Sequence, residues 1–394
     1  MHANRAVNRR KAFRTPPTPL WELACVFLKL GATAFGGPAV HIALLEQEVV
    51  RRRRWLTHEE FLDLLGATNL IPGPNSTEMA IHIGLRRAGW PGLMVAGVCF
   101  IVPAFLTVLG CAWFYVRYAQ LPQLQGILHS VKPVVLAIVL QALWRLARSA
   151  IKTRWLGAVA VAAFVANLLG GHELLLLLLA GLVVPVLRGS SANTTRSSGT
   201  SVRAVALPFL PLGLVSAHAA GTAVGLGQLF LFFLKVGSVL FGSGYVLLAF
   251  LRADLVERWG WLTETQLLDA VAVGQVTPGP VFTTATFIGY VLAGGPGACV
   301  ATIGIFLPAF IFVALTARIL PRIRQSAVAG AFLDGVNVAS LALMGAVTWH
   351  LGRSAFVDTT SVALGVASAA VLLTTRLNPT WMVLVAALAG ILLR

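Results

Sequence analysis

Two stretches of the chain are copies of one another. Residues 27–74 align with residues 233–280 at a constant offset of 206 without a gap, and 19 of the 48 aligned positions are identical. After a one-residue deletion the offset becomes 205, and the PAF motif at 103–105 then pairs with the PAF motif at 308–310. Self-similarity on this scale indicates a duplicated architecture, so both halves should fold into the same set of elements.

The composition places both copies in a membrane. Hydrophobic residues make up 57% of the 394 residues and charged residues only 11%, whereas soluble domains carry about 25% charged residues. Apolar segments that are long enough, or nearly so, to cross ~30 Å of hydrocarbon recur along the whole chain. They lie at 21–50, 58–87, 91–118, 128–150, 155–170 and 172–188, and again at 222–251, 266–292, 297–317, 330–350, 356–375 and 378–394. We therefore predict an all-α polytopic membrane protein with two homologous repeats.

The boundaries of the repeats follow from these segments. We expect a basic cytoplasmic tail at residues 1–20, a first repeat at 21–188, a linker at 189–220 and a second repeat at 221–394. The linker begins with a polar stretch that is typical of disordered connections between helices. Residues 204–221 are apolar, and an extra helix there is one of the two arrangements that the sequence allows.

The net charge of +16 bears on how the repeats are oriented. The basic residues lie in clusters between apolar runs, which is typical of membrane topology and not of nucleic-acid binding. If the first half crosses six times, Arg51–Arg54 lie outside, against the positive-inside rule, unless the first segment is a re-entrant hairpin. The arginines between 318 and 324 are cytoplasmic only if residues 204–221 also cross. We favour inverted over parallel repeats on this basis.

Proline and glycine interrupt the helices at matching places in both halves. One interruption is an FGG or FGS motif, and the other is a PGP motif. The first comprises Gly36 and Gly37 with Gly242 and Ser243, and the second comprises Pro72, Gly73 and Pro74 with Pro278, Gly279 and Pro280. A break inside a bilayer frees backbone N–H and C=O groups that protein, water or ligand must satisfy, so paired breaks indicate a transport site.

The chain after each PGP motif can restart a helix. A helix start presents free N–H groups and the positive end of the helix dipole, and both favour an anion. The polar residues at these starts are Asn75, Ser76, Thr77, Thr283 and Thr284. Two such starts that point to a shared midplane would form a pocket for a small oxyanion. The alternative is that PGP is only a kink that allows close packing.

Lys29 and Lys235 are a second pair of candidates for the substrate site. They occupy equivalent positions in apolar runs, each shortly before an FG break. An ionisable residue inside a membrane is by default a functional hypothesis, and both lysines could bring positive charge to the same anion. The alternative is that each side chain snorkels toward the lipid headgroups.

Glu78 and His82 are candidates for proton coupling. They stand four residues apart after the first PGP motif and so share one face of a helix. Their counterparts Thr284 and Ile288 do not ionise, so coupling would rest on the first half alone. A polar pair that lines a wet cavity is the alternative.

Two further matched pairs are interpreted as structural. Thr57 and Thr263 follow Trp-Leu in both halves and are expected to cap the next helices. Asp63 and Asp269 lie six residues farther on, and we assign them no role in transport.

Nothing in the sequence indicates a cofactor, a metal site or an enzymatic reaction. The four cysteines lie in apolar stretches without a CxxC pair. No GxxxxGK[ST] phosphate loop is present, so ATP-driven pumping is not expected and secondary transport remains. The expected partners are a small oxyanion and the lipid bilayer, with no nucleic acid, and a homodimer is compatible with the sequence.

The motifs together resemble the chromate ion transporter family. FLKLGATAFGGP, WLT, IPGPNSTEMA and IVPAF carry the resemblance in the first half, and their partial repetition as FLKVGSVLFGSG, WLT, VTPGP and FLPAF is similar to the long, two-domain members. The resemblance covers nearly the whole chain from Trp21 onward. It implies a multi-pass protein of the bacterial inner membrane that exports chromate and confers resistance, with sulfate as competitor.

The second half departs from the family pattern where Val281 and Phe282 stand in place of Asn75 and Ser76. We expect a secondary chromate exporter in which the PGP helix starts and the two lysines form an alternating-access site between the repeats. A transporter of another tetrahedral oxyanion such as sulfate is the first alternative. An anion channel, in which the breaks form a continuous path, is the second. A membrane enzyme or lipid flippase has no supporting set of residues.

Overall fold

The computed structural model describes residues 18–35, 38–69, 71–118, 121–191, 224–240, 246–316, 327–356, 358–375, 377 and 379–392. Regular structure in these residues is helical throughout. The first half contains α1 (Leu20–Thr33), α2 (Pro38–Glu46), α3 (His58–Thr68), α4 (Asn75–Tyr118), α5 (Pro122–Ala150), α6 (Arg154–Leu168) and α7 (Glu173–Ser191). The second half contains α8 (Leu226–Val239), α9 (Leu247–Leu251), α10 (Glu264–Val276), α11 (Thr284–Thr316), α12 (Ala327–Ala355), α13 (Thr359–Thr374) and α14 (Pro379–Leu392).

Short turns of other helix types extend this pattern. A π-helical turn prolongs α2 over Gln47–Arg52 and another prolongs α9 over Arg252–Arg258, at equivalent places in the repeats. A 3₁₀ turn at Val281–Thr283 precedes α11. Residues 204–221, where the sequence allows an extra helix, lie outside the described residues.

The described helices include four that are long and apolar enough to cross a membrane. These spans are Asn75–Tyr118, Gln125–Ala150, Val281–Thr316 and Gly330–Arg353. Their most apolar windows are only 44% to 67% buried, and large apolar side chains also point outward from the shorter helices, as Val186 does at 67% exposure. A continuous apolar exterior of this kind requires a lipid environment.

The WLT motifs begin α3 and α10 as expected. The hydroxyl of Thr57 accepts from the amide of Glu60 at 3.1 Å, and the Glu60 carboxylate accepts from the Thr57 amide at 2.9 Å. Thr263 and Gln266 form the same reciprocal pair at the start of α10. Both helices therefore start with a capping box, which satisfies two otherwise unpaired N–H groups.

α4 and α11 each contain a chain reversal. Ala88 and Gly89 leave the helical conformation in α4, with Gly89 at a φ of +63°, and the equivalent residues of α11 do the same. Gly84 then faces Gly92 so closely that a β-carbon on either residue would lie within 2.3 Å of the other's carbonyl oxygen. Only glycine allows two helical segments to cross at this distance.

The reversal divides α4 into a short arm, residues 75–87, and a long arm, residues 90–118. At 1.5 Å per residue the short arm spans ~20 Å and the long arm ~43 Å, so only the long arm can cross a bilayer. The short arm pairs with α3 around the PGP loop, because Glu60 at the start of α3 forms an ion pair with Arg86 at 2.7 Å. α3 and the short arm are therefore a re-entrant hairpin.

α1 and α2 form a second re-entrant hairpin. Glu22 near the start of α1 forms an ion pair with Arg53, which follows the π-helical extension of α2. Both hairpins thus begin and end at one end of the bundle, which we call the Arg86 end. The basic run Arg51–Arg54 lies there as well, so the re-entrant alternative removes its conflict with the charge rule.

The second repeat is inverted relative to the first. The long arm of α4 leads away from the Arg86 end, α5 returns to it, and α6 leads away again to the turn at Gly170. Lys152, after α5, lies 3.3 Å from Asp334 near the start of α12. His350, near the other end of α12, lines a cleft of about 320 Å³ with Gly170 and Arg258. Arg258 therefore lies at the end of the bundle opposite the Arg86 end. Its counterpart Arg52 belongs to the basic run at the Arg86 end, so equivalent residues of the two repeats lie at opposite ends.

The two repeats are interwoven in their packing. α12 packs along α6 and α7 of the first repeat, and α5 packs along α13 and α14 of the second. α1 lies against α4 and α8 lies against α11, and α4 and α11 meet between these pairs. The two PGP loops, which precede α4 and α11, are therefore held at the contact between the repeats.

Candidate functional site

Each PGP loop reaches the opposite repeat. The amide of Gly73 donates a hydrogen bond to the carbonyl oxygen of Leu240, which follows α8, at 2.7 Å. The amide of Gly279 donates in the same way to the carbonyl oxygen of Ala34, which follows α1, at 2.9 Å. Leu240 and Ala34 are equivalent at the offset of 206, so the two bonds are reciprocal. Because these bonds engage the middle N–H group of each loop, that group is not free to bind an anion.

Both PGP loops lie near the middle of the membrane-crossing arms. A β-carbon on Gly279 would lie 2.5 Å from Cβ of Ala104, and one on Gly73 would lie 3.7 Å from Cβ of Ala309. Ala104 is at the midpoint of the long arm of α4, and both alanines belong to the PAF motifs. The matched motifs of the sequence therefore meet across the repeats, PGP of one on PAF of the other.

The first PGP loop leads into a helix whose opening turn retains free amides. The amides of Thr77 and Glu78 donate to the carbonyl oxygen of Pro74 at 2.8 and 3.0 Å. Those of Asn75 and Ser76 have no backbone acceptor among the described residues. The unpaired N–H groups at a helix start carry the positive end of the dipole and form an anion site.

His41 joins the first break to this helix start. Its Nε2 lies 3.1 Å from the carbonyl oxygen of Ala34, and its Nδ1 lies 3.2 Å from Oγ of Ser76. A carbonyl oxygen only accepts hydrogen bonds, so Nε2 carries the proton and Nδ1 of the neutral ring accepts from the Ser76 hydroxyl. The carbonyl oxygen of Ala34 thus accepts hydrogen bonds from both His41 and the amide of Gly279. The repeat comparison gave no signal for His41, because its counterpart Leu247 is apolar.

Five buried polar atoms in the first two turns of α4 have no hydrogen-bond partner among the described residues. They are Oδ1 of Asn75, Oγ1 of Thr77, both carboxyl oxygens of Glu78 and Nε2 of His82. Thr77 and Glu78 have no exposed surface, and His82 is 4% exposed. Buried polar groups are almost always hydrogen-bonded, so a cluster of unpartnered ones marks a place for a ligand or ordered water.

The carboxyl group of Glu78 folds back onto the PGP loop. A β-carbon on Gly73 would lie 2.3 Å from Oε1 of Glu78. Gly73 has a φ of +140°, a conformation that side chains disfavour. Glycine at this position therefore allows the loop conformation and leaves room for the carboxyl group.

The second PGP helix start is closed by apolar side chains. Val281 and Phe282 are 7% and 2% exposed. The hydroxyl of Thr283 donates to the carbonyl oxygen of Pro280 at 2.7 Å, and that of Thr284 donates to Val281 at 2.8 Å. The two starts are alike in backbone and unlike in side chains, because among the described residues only the first has buried polar side-chain atoms without a partner.

Lys235 forms an ion pair with an acid of the second π-helical turn. Nζ of Lys235 is 2.8 Å from Oδ2 of Asp254. The counterpart of Asp254 is Glu48, which pairs with Arg53 at 2.8 Å and lies within electrostatic reach of Lys29. No described contact joins either lysine to a PGP helix start. Gly36, Gly37, Gly242 and Ser243, the breaks that follow α1 and α8, lie outside the described residues.

A buried ion pair also connects the repeats. Asp269 of α10 is 1% exposed and lies 3.5 Å from Nζ of Lys132 in α5. The hydroxyl of Tyr115 near the end of α4 donates to Oδ2 of Asp269 at 3.0 Å. The repeat alignment points to Asp269 because it matches Asp63. The same alignment gives no signal for its partners Lys132 and Tyr115. The cluster ties α10, which leads to the second PGP loop, to α4 and α5 of the first repeat.

Three relatives are similar to the chain over nearly its whole length. The chromate transport protein of Cupriavidus metallidurans is 32% identical over 382 residues, which cover 96% of this chain and 94% of that protein. The chromate transport protein of Pseudomonas aeruginosa is 33% identical over 387 residues, with 95% and 92% covered. A probable chromate transport protein of Synechococcus elongatus is 30% identical over 381 residues, with 96% of each chain covered.

No solved structure gives a significant match to the chain.

The family comparison agrees with the internal repeat. The family model described as chromate transporter matches twice, at residues 21–185 and 227–391, once in each half. The two matches together cover most of the chain, and they include both copies of the PGP and PAF motifs that meet between the repeats. The chain therefore belongs to the chromate transporter family.

Proposed function

We propose that this protein is a secondary transporter that exports chromate from the cytoplasm across the bacterial inner membrane and thereby confers chromate resistance. The observation that carries the proposal is the buried, unpartnered polar start of α4, which lies at mid-depth where the repeats meet. Relatives named as chromate transport proteins support the choice of substrate. The inverted repeats support alternating access about this point.

The proposed site binds the oxyanion mainly through the first repeat. The amides of Asn75 and Ser76, the Thr77 hydroxyl and Nε2 of His82 supply donors that the described residues leave unused. At the second helix start the hydroxyls of Thr283 and Thr284 are engaged, so a contribution from this half would come from the amides of Val281 and Phe282, which have no backbone acceptor among the described residues. Gly36, Gly37, Gly242 and Ser243 stay a prediction from the sequence, because they lie outside the described residues.

The proposed orientation places the Arg86 end in the cytoplasm. That end carries Arg51–Arg54, Arg86 and Lys152, and cytoplasmic loops are enriched in arginine and lysine. α1 also begins at this end, so the tail predicted at residues 1–20 would be cytoplasmic. Chromate would then enter from the basic end and leave toward the cleft beside Gly170.

The membrane potential suffices to drive export of a dianion. Moving one charge through 100 mV changes its free energy by ~2.3 kcal/mol, so two charges gain ~4.6 kcal/mol on leaving a negative cytoplasm. Export therefore needs neither ATP nor a compulsory counter-ion. The ~4.6 kcal/mol applies to a dianion that crosses without any accompanying cation.

Uptake of labelled chromate into inverted membrane vesicles tests the proposal. We expect saturable uptake that increases when the vesicle lumen is made positive, since the lumen corresponds to the cell exterior. Absence of uptake above that of vesicles without the protein would contradict the function. A loss of about half of the saturated uptake when sulfate is added at equal concentration would identify a general oxyanion transporter, because two ligands of equal affinity share the site equally. Flux without saturation would indicate a channel.

A pair of substitutions tests the proposed role of the lysines. If Lys235 attracts the anion, Lys235→Met should lower chromate transport at least tenfold, whereas Asp254→Asn should leave transport largely intact because the positive charge remains. Transport is measured per amount of protein in the membrane. Equal losses in both variants, with no further loss in the double variant, would instead assign Lys235 to the ion pair with Asp254 alone.

A further inference from the structure

We infer that Glu78 binds a proton when the oxyanion occupies the start of α4, so that each chromate dianion moves together with one proton. The inference rests on the proposed function, and it specifies the ion that is carried with the substrate. It assigns to one carboxyl group a role that the repeat cannot duplicate, because the equivalent residue is Thr284.

The surroundings of Glu78 do not compensate a negative charge. The residue has no exposed surface, and neither carboxyl oxygen has a hydrogen-bond partner among the described residues. An ionised carboxylate in such a place costs several kcal/mol unless a donor or cation accompanies it, whereas the neutral acid costs far less. No described contact brings a lysine or arginine to it.

The position of Glu78 makes its charge compete with that of the substrate. It is the fourth residue of α4, and its carboxyl group lies against Gly73 in the loop that leads into the helix. An oxyanion on the amides of Asn75 and Ser76 therefore lies within a helical turn of this group. Two negative charges at that distance repel one another, and the repulsion disappears when Glu78 is protonated.

The other titratable groups that the described residues place around Glu78 are histidines. His82 lies one turn further along the same helix, with Nε2 unpartnered. His41 approaches from α2 through Ser76 with both ring nitrogens engaged. The residues that meet the PGP loop from α11 and α8, Ala309 and Leu240, do not ionise. Glu78 is thus the one carboxyl group that the described residues bring to this site.

The linkage has a fixed sign. If anion binding favours the protonated carboxyl group, protonation favours anion binding by the same factor. Proton and chromate then cross in the same direction, and one net negative charge moves per chromate instead of two. Export remains driven by voltage, but the proton that leaves with each chromate makes an inward proton gradient oppose it.

The voltage that balances a fixed chromate gradient in proteoliposomes tests this stoichiometry. In the wild type it should be twice that of Glu78→Gln, because half as much charge moves per chromate. It should also respond to pH, since each unit of pH difference acts like a tenfold chromate gradient. Glu78→Gln should lose the pH response while still transporting chromate, and Glu78→Asp should keep it.

Two controls assign the proton. His82→Gln should retain the pH response, and so should Glu60→Gln, which alters a carboxylate at the surface of the bundle. The wild type alone can overturn the inference, by showing two charges per chromate and no pH response, even if no variant folds. A pH response that persists in Glu78→Gln, or a balance voltage that follows sodium instead of pH, would also overturn it. In these cases chromate still moves and the proposed function stands, whereas absence of chromate movement in every protein would refute the function itself.

Discussion

Replacing Gly279 by alanine is expected to lower chromate transport more than tenfold. The added β-carbon would lie 2.5 Å from Cβ of Ala104 and 3.2 Å from the carbonyl oxygen of Gly31, and Gly279 has a φ of +90°. Left-handed backbone costs ~1–2 kcal/mol for a residue with a side chain, and the close contact forces the loop off the long arm. The loop would then lose its bond to Ala34 at the meeting point of the repeats. Transport per amount of membrane protein measures the effect.

A matched variant separates backbone strain from close approach. Gly294 has a φ of +64°, but a β-carbon there would meet nothing within 4 Å, so Gly294→Ala should change transport far less. Adding Ala104→Gly to Gly279→Ala should restore part of the activity by removing the contact. If Gly294→Ala is as damaging as Gly279→Ala, the close packing of the second PGP loop is not what transport requires.

Replacing Gly84 by alanine is expected to destabilise the protein by ~3 kcal/mol or more. The new β-carbon would lie 2.2 Å from the carbonyl oxygen of Gly92 and 2.5 Å from Cβ of Ala96. Overpacking typically costs ~1–3 kcal/mol when side chains can adjust, and the obstacle in this case is backbone. Thermal unfolding in detergent, followed by the amount of monodisperse protein that remains, should show a lower midpoint.

The control for this variant lies in the same helix. A β-carbon on Gly110 would meet nothing within 4 Å, and alanine is the better helix former by ~1 kcal/mol. Gly110→Ala should therefore be neutral or slightly stabilising. Equal midpoints for Gly84→Ala and Gly110→Ala would show that the two arms of α4 do not cross as closely as described.

Much of the architecture could be predicted because it depends on local sequence patterns. Long apolar runs require a membrane, and gap-free alignment of the halves requires a repeat; the helical fold and the two family matches confirm both predictions. The sequence left a re-entrant hairpin open as the arrangement that would resolve the conflict of Arg51–Arg54 with the charge rule. The ion pair of Glu22 with Arg53 shows that α1 and α2 form this hairpin.

The partners within the candidate site could not be predicted in this way. Asp254 was not selected as the partner of Lys235, because a repeat comparison identifies equivalent positions but not neighbours. The repeat does not point to His41, because its counterpart Leu247 is apolar. Glu78 was selected for its charge, yet only its burial and its missing partner make it a competitor of the anion.

By itself, the sequence determined that this is a duplicated membrane protein of the chromate transporter family with paired breaks in its helices, because apolar length, proline and glycine act locally along the chain. Only the tertiary structure decided that Gly73 bonds to Leu240 and Gly279 to Ala34. It also decided that one of the two helix starts is polar and unsatisfied. Such contacts join residues more than 160 positions apart, and they arise from how whole helices pack, which no local pattern specifies.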